Sequence, residues 1–372
     1  MSEAGGETAT LSQDEAFARI RLLRSPNVGP VTYRQLIARC GSAAAAIEAL
    51  PELAGRAGRR YTAAPAQVVD AEVARVRKAG ASYLFHDSPA YPRLLAHSEG
   101  APPILTVRGD LAIFEKPCVA IVGARNASAG AVRIAREFGQ GLAEAGYAVV
   151  SGLARGIDGA AHQGALVGGA TIGVIASGID VTYPPEHADL QERVAAEGLL
   201  VAEQPPGTEP LARHFPTRNR IIAGLAAGTV VVEAAPKSGS LITARLAGEM
   251  GREVMAVPGS PLDPRSHGCN NLIREGGILV QSVEDVIELL TGFDGTPRSR
   301  FREEGLDWDW QPDAGVEAQM VGIAALLTTA PVAVDELIRQ SGAGTAAVQL
   351  ELLELEIAGR LVRHAGGRVS LG

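Results

Sequence analysis

The sequence has little of what several common binding chemistries require. Its three cysteines, Cys40, Cys118 and Cys269, stand far apart with no CxxC pair. That argues against a thiolate zinc site and a redox dithiol, and so few unframed cysteines fit a reducing cytoplasm. No apolar run reaches the length of about 18 residues that marks a spanning helix, so no membrane partner is expected. The stretch from Met1 to Glu15 is polar and acidic, with no basic start followed by an apolar run, so no signal peptide is expected. Aromatic residues make up only 4% of the chain, so the core must be filled by aliphatic side chains. Positive charge is in deficit too. Lys and Arg number 34 against 42 Asp and Glu, a formal net charge of -8. Taken globally this argues against a nucleic-acid binder, whose affinity comes largely from cationic contacts to phosphate.

What is abundant is hydrophobic material, 46% of 372 residues, and glycine, 44 residues. That is enough chain for two or three domains. Residues 1–10 read as disordered. From Gln13 to Gly80 the pattern is helical. Within it, Ser25 to Thr32 sits between two helical stretches, the outline of a helix-hairpin-helix whose turn amides hold a phosphate; a plain helical turn with a glycine C-cap fits as well. From Cys118 the texture becomes alternating strand and helix. Short apolar runs at Val119–Val122, Ala148–Val150, Thr171–Ile175, Leu200–Ala202, Thr229–Val232 and Glu253–Val257 predict buried strands, each closed by Gly, Ser or Pro. The fold class is therefore α/β, with a central Rossmann-like, doubly wound, mostly parallel sheet. The expected division is a helix-hairpin-helix or SAM-like helical domain over 1–85, the Rossmann-like domain over 86–292, an acidic linker over 293–318 and a winged helix over 319–372. In the last, helices are expected at Ile323–Leu327, Val334–Gln340 and Thr345–Ala358. A hairpin follows from Arg360 to Leu371, turning at Gly366-Gly367.

In parallel α/β sheets the ligand sits beyond the carboxyl ends of the strands. After the first of these strands come Gly123, Ala124, Arg125, Asn126, Ala127 and Ser128. Gly123 permits a sharp turn, Arg125 is a bidentate phosphate clamp, and the helix starting near Ser128 presents free N–H groups to an anion. The loop is not GxGxxG, no acid ends the second strand to hold a ribose, and there is no GxxxxGK[ST] loop. A dinucleotide cofactor is thereby disfavoured, and no cofactor or metal is expected. Asp158 and His162, four apart, invite an acid–base reading. Without a nucleophile or metal they are better read as an N-cap or first-turn residue and an imidazole that packs or caps locally. Later, Phe215, Arg218, Asn219 and Arg220 lie just before a helix, where the arginines crowd its N-terminal end and Phe215 stacks on a base. Lys237, Ser238, Gly239 and Ser240 then lead into another helix and face one anion.

Charge is segregated along the chain. From Cys118 to Arg136 there are three arginines and no acids, and from Pro205 to Arg245 five cations against two acids. Both ligand-edge segments are locally +3, so the acidic total does not exclude a basic groove. The winged helix shows the reverse. Its third helix carries Glu351, Glu354 and Glu356 and no Lys or Arg, so phosphates would repel it. It reads as a module for protein contact or dimer support.

Taken together, Ala120 to Arg125, Ser151 to Asp158 with Ala161-His162, Phe215 to Ile222, Glu233-Ala234 with Lys237 to Ala244, and Val257 to Gly259 with Asn271 to Ile273 resemble the DNA-processing protein A (DprA/Smf) family. The motifs run in the family order over roughly residues 100 to 290. The resemblance implies a cytoplasmic protein that binds single-stranded DNA cooperatively as a homodimer. Such a protein protects incoming strands in natural transformation and helps load the recombinase RecA, without catalysis. It also implies a basic pocket of Arg125, Arg218, Asn219 and Lys237, with Ser128, Ser238, Gly239 and Ser240 nearby. Ala124 departs from the pattern, standing where a Ser or Thr is common. The alternative is a nucleotide-processing enzyme, because the core also resembles phosphoribohydrolases carrying PGGxGTxxE. Here Thr243 stands where their Glu would be, and the hydrolysis would need that carboxylate.

Overall fold

The computed structural model describes residues 11–56, 60–98, 100–291, 323–364 and 366–372. The expectations for residues 1–10 and for the linker at 293–318 lie outside the described residues. Two compact units result. One joins the chain up to Ala71 with the chain from Glu303 on; the other runs from Glu72 to Arg302.

The first unit begins with α1 (Gln13–Leu23), α2 (Pro30–Cys40) and α3 (Ala43–Arg56); α4 (Ala66–Lys78) starts in it and continues into the second. Ser12 caps α1 by accepting from the Glu15 amide, and Pro30 opens α2, where no N–H is missed. The α1–α2 turn closes differently from the glycine-capped alternative. Gly29 stands at the N-cap of α2, and the left-handed residue is Asn27, at φ 61. Leu22, Leu36, Leu50 and Leu53 pack the faces of these helices together.

The second unit is built on a nine-stranded sheet. Its elements are β1 (Ser82–Phe85), α5 (Arg93–Ala96), β2 (Ile104–Gly109), β3 (Cys118–Gly123), α6 (Ala129–Glu144), β4 (Ala148–Ser151), α7 (Ile157–Gly168), β5 (Ala170–Gly178), α8 (Ala188–Glu197), β6 (Leu199–Gln204), α9 (His214–Leu225), β7 (Gly228–Val232), α10 (Ser240–Glu249), β8 (Glu253–Ala256), α11 (His267–Arg274), β9 (Ile278–Leu279) and α12 (Val283–Leu290). The strand order is β1-β2-β6-β5-β4-β3-β7-β8-β9. From β6 to β9 every pairing is parallel, while β2 joins β6, and β1 joins β2, antiparallel. Alternate residues of β3 serve opposite layers. Val119 and Ile121 pack with α6, α7 and α12, and Ala120 and Val122 pack with α9 and α10. Burial on both faces is why these strands read as unbroken apolar runs. The chain crosses from one half of the sheet to the other between β3 and β7, so the crevice above these neighbours is the switch point where ligands bind in this architecture.

The rest of the first unit comprises α13 (Ile323–Leu326), β10 (Val332–Ala333), α14 (Val334–Ser341), α15 (Thr345–Ile357), β11 (Leu361–His364) and β12 (Arg368–Leu371). The strands form a sheet in the order β10-β12-β11, giving a winged helix. The sequence pattern missed β10, whose two residues are too few to alternate. Helix α15 serves two cores. Val348, Leu352 and Leu355 pack inside the winged helix, while Leu353 and Ile357 complete the core of the N-terminal helices. The Asn27 side-chain amide donates to the Ile357 carbonyl at 2.9 Å, capping the end of α15. Arg56 meets Glu354 at 3.3 Å. Within the helix-hairpin turn, the Asn27 side chain thus meets a helix terminus of negative polarity. Among the described residues, no helix is long and apolar enough to cross a membrane.

Candidate nucleic-acid interface

Above the β3–β7 switch point lies a cleft of ≈ 730 Å³. Its walls are the loops leaving β3, β4, β7 and β8 together with the start of α9. Gly123, Arg125, Phe215, Arg218, Asn219, Lys237, Ser238, Gly239 and Ser240 all line it. Gly123 is required by contact. A Cβ there would stand 2.0 Å from the Val232 carbonyl oxygen and 2.6 Å from Ile157 Cγ1. Only a hydrogen lets β3 turn between β7 and α7.

Arg125 is exposed at the rim, with its guanidinium carbon 5.0 Å from the centre of the Phe215 ring. Phe215 in turn tilts against Tyr183, their ring centres 5.8 Å apart. A smaller pocket of ≈ 120 Å³, lined by Tyr183, Phe215, Arg155 and Arg218, opens beside the cleft. Lys237 is exposed on the opposite wall, and its loop is held from below. The Asn219 side-chain amide donates to the Gly239 carbonyl at 3.3 Å, and the hydroxyls of Ser238 and Ser240 lie 2.7 Å apart. Asn219 therefore pins the turn that carries Lys237.

Arg218 forms the floor. It is 6% exposed, and its Nε has no hydrogen-bond partner. Burial lowers its pKa, while the Asp158 charge opposes that shift. Asp158, in the first turn of α7, accepts from the amides of Gly152 at 3.1 Å and Ala154 at 3.4 Å. It shapes the β4–α7 loop rather than capping the helix, whose N-cap is Gly156. Burial raises the Asp158 pKa, against the Arg218 charge and these two amides. His162 is fully buried and bonds the Thr171 hydroxyl at 2.8 Å, in keeping with a packed imidazole.

Two expected residues stand elsewhere. Ser128 does not line the cleft; its hydroxyl caps α6 by accepting from the Ala131 amide at 3.1 Å. Arg220 bonds the Gly100 carbonyl and pairs with Glu203. Helix α9 already begins at His214, so Arg218 and Arg220 do not precede it as expected. Two residues apart in a helix, they point about 200° from each other.

Two cleft-side groups were missed. Arg265, in the turn before α11, lines the cleft, bonded to Asp263 and 3.3 Å from a Glu233 carboxylate oxygen. Glu233 follows β7 at φ 53 with its other oxygen accepting from the Ser128 amide at 2.6 Å. The free helix-terminal amides expected at α6 are thus partly satisfied by the protein's own acid. Neither signal was readable from local sequence, because both depend on which loops the sheet order brings together.

Comparison with known proteins covers nearly the whole chain. The model for DNA recombination-mediator protein A matches residues 82–291. That for the DprA-like N-terminal HHH domain matches 13–74, and that for the DprA winged helix domain matches 311–367. The Smf protein of Escherichia coli strain K12 is 36% identical over 323 residues, 85% of this chain and 84% of that one. The DNA processing protein DprA of Streptococcus pneumoniae is 45% identical over 222 residues, 59% of this chain and 78% of that one. Its X-ray structure superposes with a TM-score of 0.64 at 37% identity, covering 75% of this chain and 98% of that one. DNA processing protein A from Helicobacter pylori, solved for insight into its single-stranded DNA binding mode, superposes with a TM-score of 0.52 at 28% identity, covering 57% of this chain and 95% of that one.

Proposed function

Since the chain belongs to the DNA recombination-mediator protein A family, we propose that it binds single-stranded DNA in the switch-point cleft, with the phosphates held by Arg125, Arg218 and Lys237. One observation carries the reading. Three cations from three separate segments converge on this cleft, and none has an ion-pair partner within 4.0 Å among the described residues. Donors left open at a switch point fit an incoming anion. Phe215 supplies an apolar face on which a base stacks, and Asn219, Ser238, Gly239 and Ser240 form the turn that aims Lys237. Gly123 and Ser128 shape the loop bearing Arg125. Arg220, paired with Glu203, has a structural part in this scheme.

The role we assign is binding without catalysis. The position of the hydrolase carboxylate is held by Thr243, 1% exposed. The two acids near the cleft, Asp158 and Glu233, are engaged with backbone amides. As a recombination mediator, the protein would protect incoming strands during DNA uptake and hand them to RecA, acting as a homodimer in the cytoplasm. The three unpaired cysteines fit that compartment. The test is retention of labelled oligo-dT on filters, with duplex DNA of equal length as competitor. Oligo-dT retained by the parent and lost by the Arg125→Ala/Lys237→Ala double variant supports the reading. A double variant that binds like the parent refutes it. Release of free base from a nucleoside monophosphate at ordinary turnover rates would instead make the chain an enzyme.

A further inference from the structure

Glu233 is an odd residue for its place. At φ 53 it holds a left-handed backbone that Gly or Asn adopts far more readily. It is 9% exposed, and it brings a further negative charge to the edge of a cleft lined by four cations, Arg125, Arg218, Lys237 and Arg265, and one acid, Asp158. Both features cost something, and the contacts of the residue show what they secure. Its backbone carbonyl accepts from the Ala124 amide at 2.7 Å. Its side-chain Oε2 accepts from the Ser128 amide at 2.6 Å. These two amides bracket Arg125, one residue before it and three after. Oε1 faces Arg265 Nε at 3.3 Å on the other side. The residue that follows β7 thus clamps both ends of the Arg125 loop and restrains an arginine of the β8–α11 loop.

We propose that Glu233 is a positioning residue for Arg125, so that its loss weakens DNA binding even though it removes a negative charge. The inference rests on the assignment of the cleft to a phosphate backbone. Its value lies in the sign. Charge alone predicts the reverse, because deleting a carboxylate beside a polyanion site should tighten binding. The left-handed backbone supports the same conclusion. A Gly would relieve the conformation and keep the carbonyl bond to Ala124, yet would leave the Ser128 amide without its acceptor. The side chain, not the turn, is what the position holds.

The experiment is an oligo-dT titration of the full chain as parent, Glu233→Ala, Glu233→Gly and Glu233→Gln, with Arg125→Ala and Lys237→Ala alongside. Glu233→Ala and Glu233→Gly should each weaken binding about tenfold, within the range of couplings between residues in contact. Glu233→Gln retains an oxygen for the Ser128 amide and should bind within about threefold of the parent on the same scale. Because Glu233 acts through Arg125, Glu233→Ala should add nothing in the Arg125→Ala background and its full loss in the Lys237→Ala background. Thermal melts establish that each variant is folded. Should Glu233→Ala misfold, the Gly and Gln variants carry the comparison. Glu233→Ala or Glu233→Gly binding as tightly as the parent, while Arg125→Ala binds weakly, would overturn this inference alone. So would additive losses in both backgrounds. Arg125→Ala binding like the parent would overturn the cleft assignment beneath it.

Discussion

The Arg218 guanidinium occupies the space beside Gly152 in which any other residue would place its first side-chain carbon: a Cβ there would lie 1.6 Å from Nη1. A glycine in the β4–α7 loop therefore decides where the buried cation of the cleft floor points. Gly152→Ala should displace the guanidinium and weaken oligo-dT binding about as much as Arg218→Ala does. Because the displaced atoms are the end of a flexible side chain, the stability cost should stay near the lower end of the overpacking range, about 1 kcal/mol. Paired binding titrations and denaturant melts check this, and parent-like binding by Gly152→Ala would separate the two residues.

Phe215 acts by a different physical route from the cations around it. Its ring lies under Arg125 and against Tyr183, and base stacking on such a ring contributes roughly 1–3 kcal/mol. Phe215→Ala should weaken oligo-dT binding by that amount and leave its salt dependence unchanged, while Phe215→Tyr should preserve affinity. A changed salt slope for Phe215→Ala would mean that the ring serves mainly to hold Arg125.

Acid should destabilise the second unit through His162. Burial pushes its pKa down to about 3, against an ordinary value near 6.5. Between these values the unfolded chain binds a proton that the folded chain excludes. The stabilisation is complete above pH 6.5 and falls by about 1.4 kcal/mol per pH unit as pH drops toward 3. Melting His162→Gln beside the parent from pH 7 to 5 isolates the effect. The parent should lose more stability than the variant, and parallel curves would contradict the assignment.

The two ends of the chain should unfold together. Ile357 is fully buried and belongs to the core of the N-terminal helices although it ends α15. Ile357→Ala should lower the stability of the first unit by about 2–4 kcal/mol, the cost of a large-to-small change in a packed core. Hydrogen exchange at amides of α2 and α3 reads it directly. Unchanged protection there would show that α15 contributes nothing to that core.

The sheet was legible because its strands are buried on both faces, and runs such as Val119 to Val122 admit few alternatives. The winged helix was legible from helix lengths and Gly366-Gly367. The acidic face of its third helix was legible from Glu351, Glu354 and Glu356. The core its other face completes was hidden, since the partners Leu353 and Leu36 are more than 300 residues apart. Within the cleft, residue types pointed to loops that the sheet order brings together, but not to side-chain directions. Arg218 and Arg220 looked equivalent until the start of α9 at His214 set them on opposed faces. Glu233 was visible only as a motif letter, because its left-handed backbone and its reach to Ser128 arise from the β3–β7 neighbourhood.

The central claim, that Arg125 and Lys237 touch phosphates in this cleft, is tested most directly by the salt dependence of oligo-dT binding. Affinity of the parent should fall linearly on a log–log plot against salt. Arg125→Ala and Lys237→Ala should each bind more weakly, with the slope reduced by about 0.7, the value for one lost contact to a single strand. Weaker binding with an unaltered slope, or unaltered binding, in both variants would contradict the account.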